Sequence, residues 1–406
     1  MLKPIEERIK EYIDNFYEDD KDLVTMTKFQ ELSIKDDTTI DSLEYKTICA
    51  SIFNLLKNTN LIDKYRIEID KSCTSLIQKL FSTYVDKDTF IITSSHDHEA
   101  TTSLITDAHK KYIVNLFDIQ ETEGKLKVFN EIIESFKKSG CTKIFCIMVG
   151  TAPQAAITVD QSFFKELKHV FIKNNIPHIM VLDDCQGIFM IERNYEIFDA
   201  FLATGHVLSC LFSNIGFLFT KLNKKLGYIN KQTLNTLWDK LQIIDKYRYK
   251  AIQFNSLMQE YFNENEIAFK QYKNEAPHQF ALNLYNTISN EKYHARFVQY
   301  GIRFNPIQNE GNFVRLRYHE AIIQDSNNFL NGLKALKTHL NKLARFKEFN
   351  DKKLGYSNEE IYKAYEFTDL MQTVKINPKL KTLLSANSYQ QIQERFFNFY
   401  KKTLSR

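Results

Sequence analysis

Apolar residues near the start of the chain recur at helical spacing. Ile5, Ile9, Tyr12, Ile13 and Phe16 fall on one stripe of an otherwise polar segment, so residues 1 to about 60 are predicted to be helical. From about residue 70 to 220 the rhythm changes. Short apolar runs at 89–93, 112–117, 143–149, 178–182, 207–212 and 217–220 read as strands. Amphipathic stretches at 126–138 and 162–174 read as helices, the first closed by Ser139-Gly140. This alternation predicts a mostly parallel sheet covered on both faces. Helical periodicity then dominates 228 to about 290, followed by short strands within 301–318, where Phe313 to Tyr318 alternate apolar and charged positions. A helix over 326–346 and a Lys-, Tyr- and Phe-rich helical tail from about 357 complete the chain.

These shifts divide the 406 residues into an N-terminal helical segment (1–65), a large domain (66–245), a linking helix with a small domain (246–350) and a helical C-terminal extension (351–406). A 43% hydrophobic and 26% charged composition is that of a soluble globular protein. The formal charge of +4 arises from 54 basic and 50 acidic residues, a balance that gives no reason to expect nucleic acid as a partner. The first residues contain no apolar leader, and no run approaches the ~18 apolar residues of a membrane span. A cytoplasmic protein is the expectation. Six cysteines, at 49, 73, 141, 146, 185 and 210, form no CxxC pair and are expected to be buried free thiols.

Candidate chemistry is concentrated where predicted strands end. The apolar run from His178 stops at Asp183, with Gln186 three residues on and then Gly187. A strand ending in an acid places charge at the carboxyl edge of a parallel sheet, where ligands of α/β proteins bind. Ser72-Cys73-Thr74-Ser75 reads either as a helix cap or as an anion-holding helix start. The strand 91–93 runs into Ser94-Ser95-His96-Asp97-His98-Glu99-Ala100; its two histidines lack a third metal ligand, so no metal is expected. Arg315 and Arg317 share one face of a late strand and suit a planar carboxylate.

Taken in order, these segments resemble the fold-type I enzymes of pyridoxal phosphate over roughly residues 70 to 330, in particular the α-oxoamine synthases and the cysteine-desulfurase-like aminotransferases. The resemblance implies an aspartate-aminotransferase-like α/β fold: a three-layer large domain with a mostly parallel sheet, a small α+β C-terminal domain and extra C-terminal helices. It implies that Ser72, Cys73 and Thr74 hold the cofactor phosphate, with Cys73 in place of the family's glycine. It assigns His98, with His96 as second choice, to stack on the pyridine ring. Asp183 would pair with the ring nitrogen, Gln186 would bond the ring's 3′-oxygen, and Arg315 would clamp a substrate carboxylate.

The lysine that carries the cofactor in this family has no counterpart here. In the α-oxoamine-synthase register, where 207–212 is the strand leading to the site, its place is Asn214, 31 residues beyond Asp183. In the desulfurase-like register Thr204-Gly205-His206-Val207 replaces the family motif, the lysine becomes Val207, and His206 is the nearby candidate base. The first register keeps the apolar strand intact and is preferred. Lys221 lies seven residues past Asn214, beyond an apolar run.

The resemblance therefore implies a lysine-deficient homologue, either a degenerate or regulatory pseudoenzyme or an active enzyme. The active form would hold pyridoxal or pyridoxamine 5′-phosphate noncovalently and act on a small amino- or keto-acid in aminotransferase- or acyltransferase-like fashion. A pseudoenzyme holding neither cofactor stays open. The expected assembly is a homodimer, or a heterodimer with an active paralogue. Ordinary cysteine desulfuration is not expected, because every cysteine lies at or before position 210.

Overall fold

A computed structural model describes residues 3–19, 35–57, 59–152, 157–188, 190–204, 215–265, 279–283, 300, 302–307, 311–317 and 325–353. Its centre is a seven-stranded sheet in the order β1-β7-β6-β5-β4-β2-β3. The strands are β1 (Arg66–Asp70), β2 (Thr89–Ser94), β3 (Lys111–Val114), β4 (Lys143–Val149), β5 (His178–Asp183), β6 (Ala200–Thr204) and β7 (Gly216–Thr220). β2 to β6 are mutually parallel, β7 runs against them, and β1 pairs antiparallel with β7 and so rejoins the common direction.

Both faces of this sheet are covered. Along β4, Ile144, Cys146 and Met148 enter one apolar cluster while Phe145 and Ile147 enter another, as the two-residue period of a strand requires. Helix α1 (Cys73–Tyr84) buries Leu76, Ile77, Leu80 and Phe81 against the second cluster. Helices α2 (Thr122–Ser139) and α3 (Gln161–Lys173) bury Phe129, Ile132, Phe163 and Phe164 against the first. Gly140 ends α2 with φ +70°, the left-handed conformation that glycine adopts without steric cost.

The N-terminal stripe forms helix α4 (Ile5–Asp19), whose Ile5, Ile9 and Ile13 are buried. It lies along helix α5 (Ile244–Glu264), with Tyr12 and Phe254 rings 6.5 Å apart and an Arg8–Glu260 ion pair. A second sheet, ordered β8-β10-β9, is built from β8 (Gln279–Asn283), β9 (Ile302–Ile307) and β10 (Gly311–Arg317), all antiparallel. It is followed by helix α6 (Ser326–Lys353).

Several expectations are corrected. Residues 279–283, expected within a helical stretch, form a strand, because Phe280 and Leu282 pair in register with Leu316 and Val314 in a ladder with β10. β1 and β6 were not foreseen. The expected strand at 207–212 and the tail from 357 fall outside the described residues.

Candidate active site

The strands deliver the loops that carry Ser72, Cys73, Thr74, His98, Asp183 and Gln186 to one edge of the large sheet. The register pairs Val149 with Asp183, Asp183 with Leu202, Thr204 with Gly216, and Gly216 with Asp70. The ends of β4, β5, β6 and β1 and the start of β7 are therefore level, and the loops that leave them share one rim.

Asp183 ends β5 at 5% exposure, and Asp184 behind it is wholly buried. Asp184 is compensated by the protein. Its Oδ1 lies 3.1 Å from Arg193 Nε, and the Tyr195 hydroxyl donates to its Oδ2 at 2.6 Å. Arg193 in turn donates to Gly150 O at 2.6 Å, Thr151 Oγ1 at 3.0 Å and Val159 O at 3.2 Å, tying the β4 exit to the β5 exit. Burial pushes the Asp184 carboxyl up to about 6, with the Arg193 guanidinium restraining the rise. Burial and the Asp184 charge push the Tyr195 phenol well above its usual range. Gly150 and Gly187 enclose this pair: a Cβ on either would meet Asp184 Oδ1, at 2.6 Å and 2.4 Å respectively.

Asp183 differs. Among the described residues no lysine or arginine pairs with it, and Cys185 N donates to its Oδ1 at 3.2 Å. A carboxylate removed from water without a cation is a costly arrangement unless a ligand supplies the charge.

Ser72, in extended conformation, caps α1 by accepting from Ser75 N at 3.0 Å. The cap leaves the amides of Cys73 and Thr74 at the helix start, where the helix dipole favours an anion. Beside it, Asp70 accepts from Ser75 Oγ at 2.8 Å and pairs with Lys79 at 2.6 Å. Cys73 is buried, and its sulfur lies 3.2 Å from that of Cys185. Gly216 presses on this turn, since a Cβ there would sit 2.4 Å from Cys73 N.

The two histidines are separated by environment. His98 is exposed and caps the one-turn helix Glu99–Thr102, its Nδ1 accepting from Ala100 N at 3.1 Å. That bond places the proton on Nε2 when the ring is neutral. His96 is buried edge-on to Phe117 with ring centroids 5.0 Å apart, Nδ1 2.8 Å from Ser95 Oγ and no partner for Nε2 among the described residues. Burial depresses it to about 4. Between them Asp97 accepts from Ser94 N at 2.7 Å, Ser94 Oγ at 2.7 Å, Val149 N at 2.8 Å and the Thr93 hydroxyl. It thus fastens the histidine loop to the end of β4, and burial raises it to about 6.

Gln186 is half-buried in the loop after Asp183. Arg315 lies in β10, in register with Ala281 and Arg303, outside the large sheet. His206, Val207 and Asn214 fall outside the described residues. Lys221 is described and is far from this rim. It follows the last residue of antiparallel β7, where its Nζ lies 3.6 Å from Asp199 and 5.5 Å from the Tyr65 ring centroid. Five residues of strand, roughly 17 Å at about 3.4 Å each, separate it from the Gly216 end. The Asp184–Arg193–Tyr195 network and the Cys73–Cys185 contact were not anticipated. The Asp183-Asp184 doublet was a signal of the first; nothing in the sequence announced the second.

No protein-family model matches the chain, and no curated protein matches it in sequence. Its architecture is nevertheless the aspartate-aminotransferase-like α/β fold, with a mostly parallel seven-stranded sheet. Among solved structures, a NifS-like protein superposes with a TM-score of 0.56 at 11% identity, over 82% of this chain and 95% of that one. The NifS-like protein of Rickettsia africae gives 0.53 at 13%, covering 82% and 96%. Aspartate aminotransferase of Thermotoga maritima gives 0.54 at 14%, covering 84% and 89%. At these identities the likeness establishes the fold.

Proposed function

We propose that this chain is a lysine-deficient relative of pyridoxal-phosphate-dependent transferases that keeps the cofactor cradle and binds pyridoxal or pyridoxamine 5′-phosphate without a covalent bond. The observation that carries this is Asp183, a buried rim carboxylate without a cation partner among the described residues, beside an Asp184 that the protein neutralises itself. A protonated pyridine nitrogen is a cation of the right kind for such a carboxylate. The rest of the donor set suits the same group. The Ser72-Cys73-Thr74 turn offers amides and hydroxyls to a phosphate, exposed His98 offers a ring face, and half-buried Gln186 offers an amide to a ring oxygen.

When bound, the cofactor supplies an electron sink for chemistry at an amino-acid Cα. Asp183 would hold the ring nitrogen protonated, and His98 would limit water on one ring face. What is missing is a residue to carry the aldehyde and move the Cα proton. The segment 205–214 contains no lysine, and Lys221 is held at the opposite edge by Asp199. The biological role that follows is a degenerate or regulatory member, in a homodimer or beside an active paralogue.

A second reading has a specific support. Thr204, the first residue of Thr204-Gly205-His206-Val207, lies at the rim in register with Gly216, which supports the register with Val207 in the lysine's place. His206 would then follow the rim by two residues and could act as a base. An enzyme working on an amino- or keto-acid from a noncovalently held cofactor would fit this, with Arg315 as the carboxylate clamp.

The test is an absorbance titration of the purified chain with pyridoxal phosphate, before and after borohydride. The expected result is a saturable perturbed band that borohydride does not fix to the protein. Fixation on one lysine would sink the lysine-deficient reading, and no binding would remove the cofactor reading. Turnover of amino acids with keto-acid acceptors separates the second reading from the first.

A further inference from the structure

The sulfurs of Cys73 and Cys185 lie 3.2 Å apart although the residues are 112 positions apart in the chain. They belong to two different loops of the rim. Cys73 opens α1, where the Ser72 cap and the pressing backbone of Gly216 fix it. Cys185 follows β5, its N–H bonded to Asp183. Nothing bulky separates the thiols, and Cys185 is partly buried, whereas Cys73 is buried. We propose that Cys73 and Cys185 are a reversible dithiol–disulfide site, which a peroxide oxidises and a small thiol reduces, and which braces the α1 turn against the Asp183 loop.

A disulfide needs sulfurs about 2.05 Å apart, so closure moves them together by little more than ~1 Å, within reach of side-chain rotation. The order of events follows from their different burial. Either thiol can donate in this contact. The contact with Cys185 favours the Cys73 thiolate, but burial and the Asp183 charge outweigh it and leave that thiol raised. Cys185 is raised well above its ordinary value by the same contact, then by burial. Cys185, the less buried of the two, is the sulfur that meets the peroxide. Its thiolate forms a bond to one peroxide oxygen, the O–O bond breaks, and the departing hydroxide takes a proton to become water. Cys73 then displaces the sulfenic oxygen from Cys185, forming the S–S bond and a second water. Two thiols lose two electrons, and one peroxide becomes two waters.

Cofactor control by this site rests on the reading above. The bond draws the phosphate-holding turn toward the Asp183 and Gln186 loop, so the oxidised chain would bind pyridoxal phosphate several-fold more weakly, with recovery in dithiothreitol. The bond itself is independent of that reading.

The experiment treats the full chain with hydrogen peroxide at pH 7 and pH 9, blocks remaining thiols in denaturant, and maps peptides by mass spectrometry. The expected product lacks two hydrogens and joins the Cys73 and Cys185 peptides, forms faster at pH 9, and reverts with dithiothreitol. It should persist in Cys210→Ser and vanish in Cys73→Ser and Cys185→Ser, whose folding circular dichroism would check. Recovery of both cysteines as free thiols after treatment at pH 9, or a bond from either to another cysteine, would overturn the site. A mapped bond in a protein that binds no cofactor when reduced leaves the site standing and removes only its link to the cofactor. Cofactor affinity unchanged by a mapped bond overturns the control.

Discussion

Asp183 and Asp184 are consecutive and both are buried, yet the described protein neutralises only the second. Arg193 at 3.1 Å and Tyr195 at 2.6 Å hold Asp184, while Asp183 meets no cation among the described residues. One carboxylate is part of the scaffold, and the other is the one proposed above to serve a ligand.

Replacing Asp183 with Asn should therefore cost little stability, within about 1 kcal/mol by urea unfolding. The same variant should lose most of the pyridoxal-phosphate perturbation in the absorbance titration. Severe destabilisation with cofactor binding intact would mean that Asp183 is structural.

Arg193→Met should behave in the opposite way. It leaves Asp184 buried without its cation and removes the bonds to Gly150, Thr151 and Val159, so a loss of about 3–5 kcal/mol is expected. Adding Asp184→Leu should recover part of that loss, a non-additivity that a double-mutant cycle in urea would measure.

The buried titrating groups give a pH signature. His96 sits at about 4 in the fold against an ordinary 6.5, so the unfolded chain binds the proton first and stability falls as pH drops from about 6.5 to 4. Asp97 and Asp184, raised from 3.8 to about 6, act oppositely: the fold holds their protons more tightly, so their contribution grows as pH drops through about 6. In His96→Phe the first effect disappears. Relative to the parent chain, the variant should gain up to about 3 kcal/mol between pH 6.5 and 4, read as the difference of urea midpoints. An unchanged profile would show that His96 is not buried as described.

Gly216→Ala tests the close approach of β7 to the α1 turn. The added methyl would meet backbone atoms, 2.4 Å from Cys73 N and 2.5 Å from Ser72 C, which cannot swing aside. A loss of about 1–3 kcal/mol is expected, with weaker binding of inorganic phosphate or cofactor at the displaced turn.

Restoring a lysine distinguishes the two registers. On the desulfurase-like register, Val207→Lys should allow borohydride to trap pyridoxal phosphate on that residue, whereas Asn214→Lys should not. Trapping at 214 instead would restore the register that the apolar pattern favoured.

The sequence by itself determined what is local. A run of β-forming side chains ending in Asp183, a Ser72 that caps a helix and an apolar stripe on Ile5, Ile9 and Ile13 all follow from the periods of strand and helix, which neighbouring residues set. Strand–helix alternation was enough to indicate a layered α/β protein. Tertiary structure decided what depends on distant partners. Arg66–Asp70 and Gln279–Asn283 became strands because ladders were available to them, β1 on β7 and β8 on β10. The same pairing located β6 at 200–204, beside Asp183. Only packing could make Asp184 a scaffold residue, by bringing Arg193 under it, or set Cys73 against Cys185 across 112 residues. Identical side chains acquire different chemistry according to burial and the charges around them, and those are properties of the folded chain.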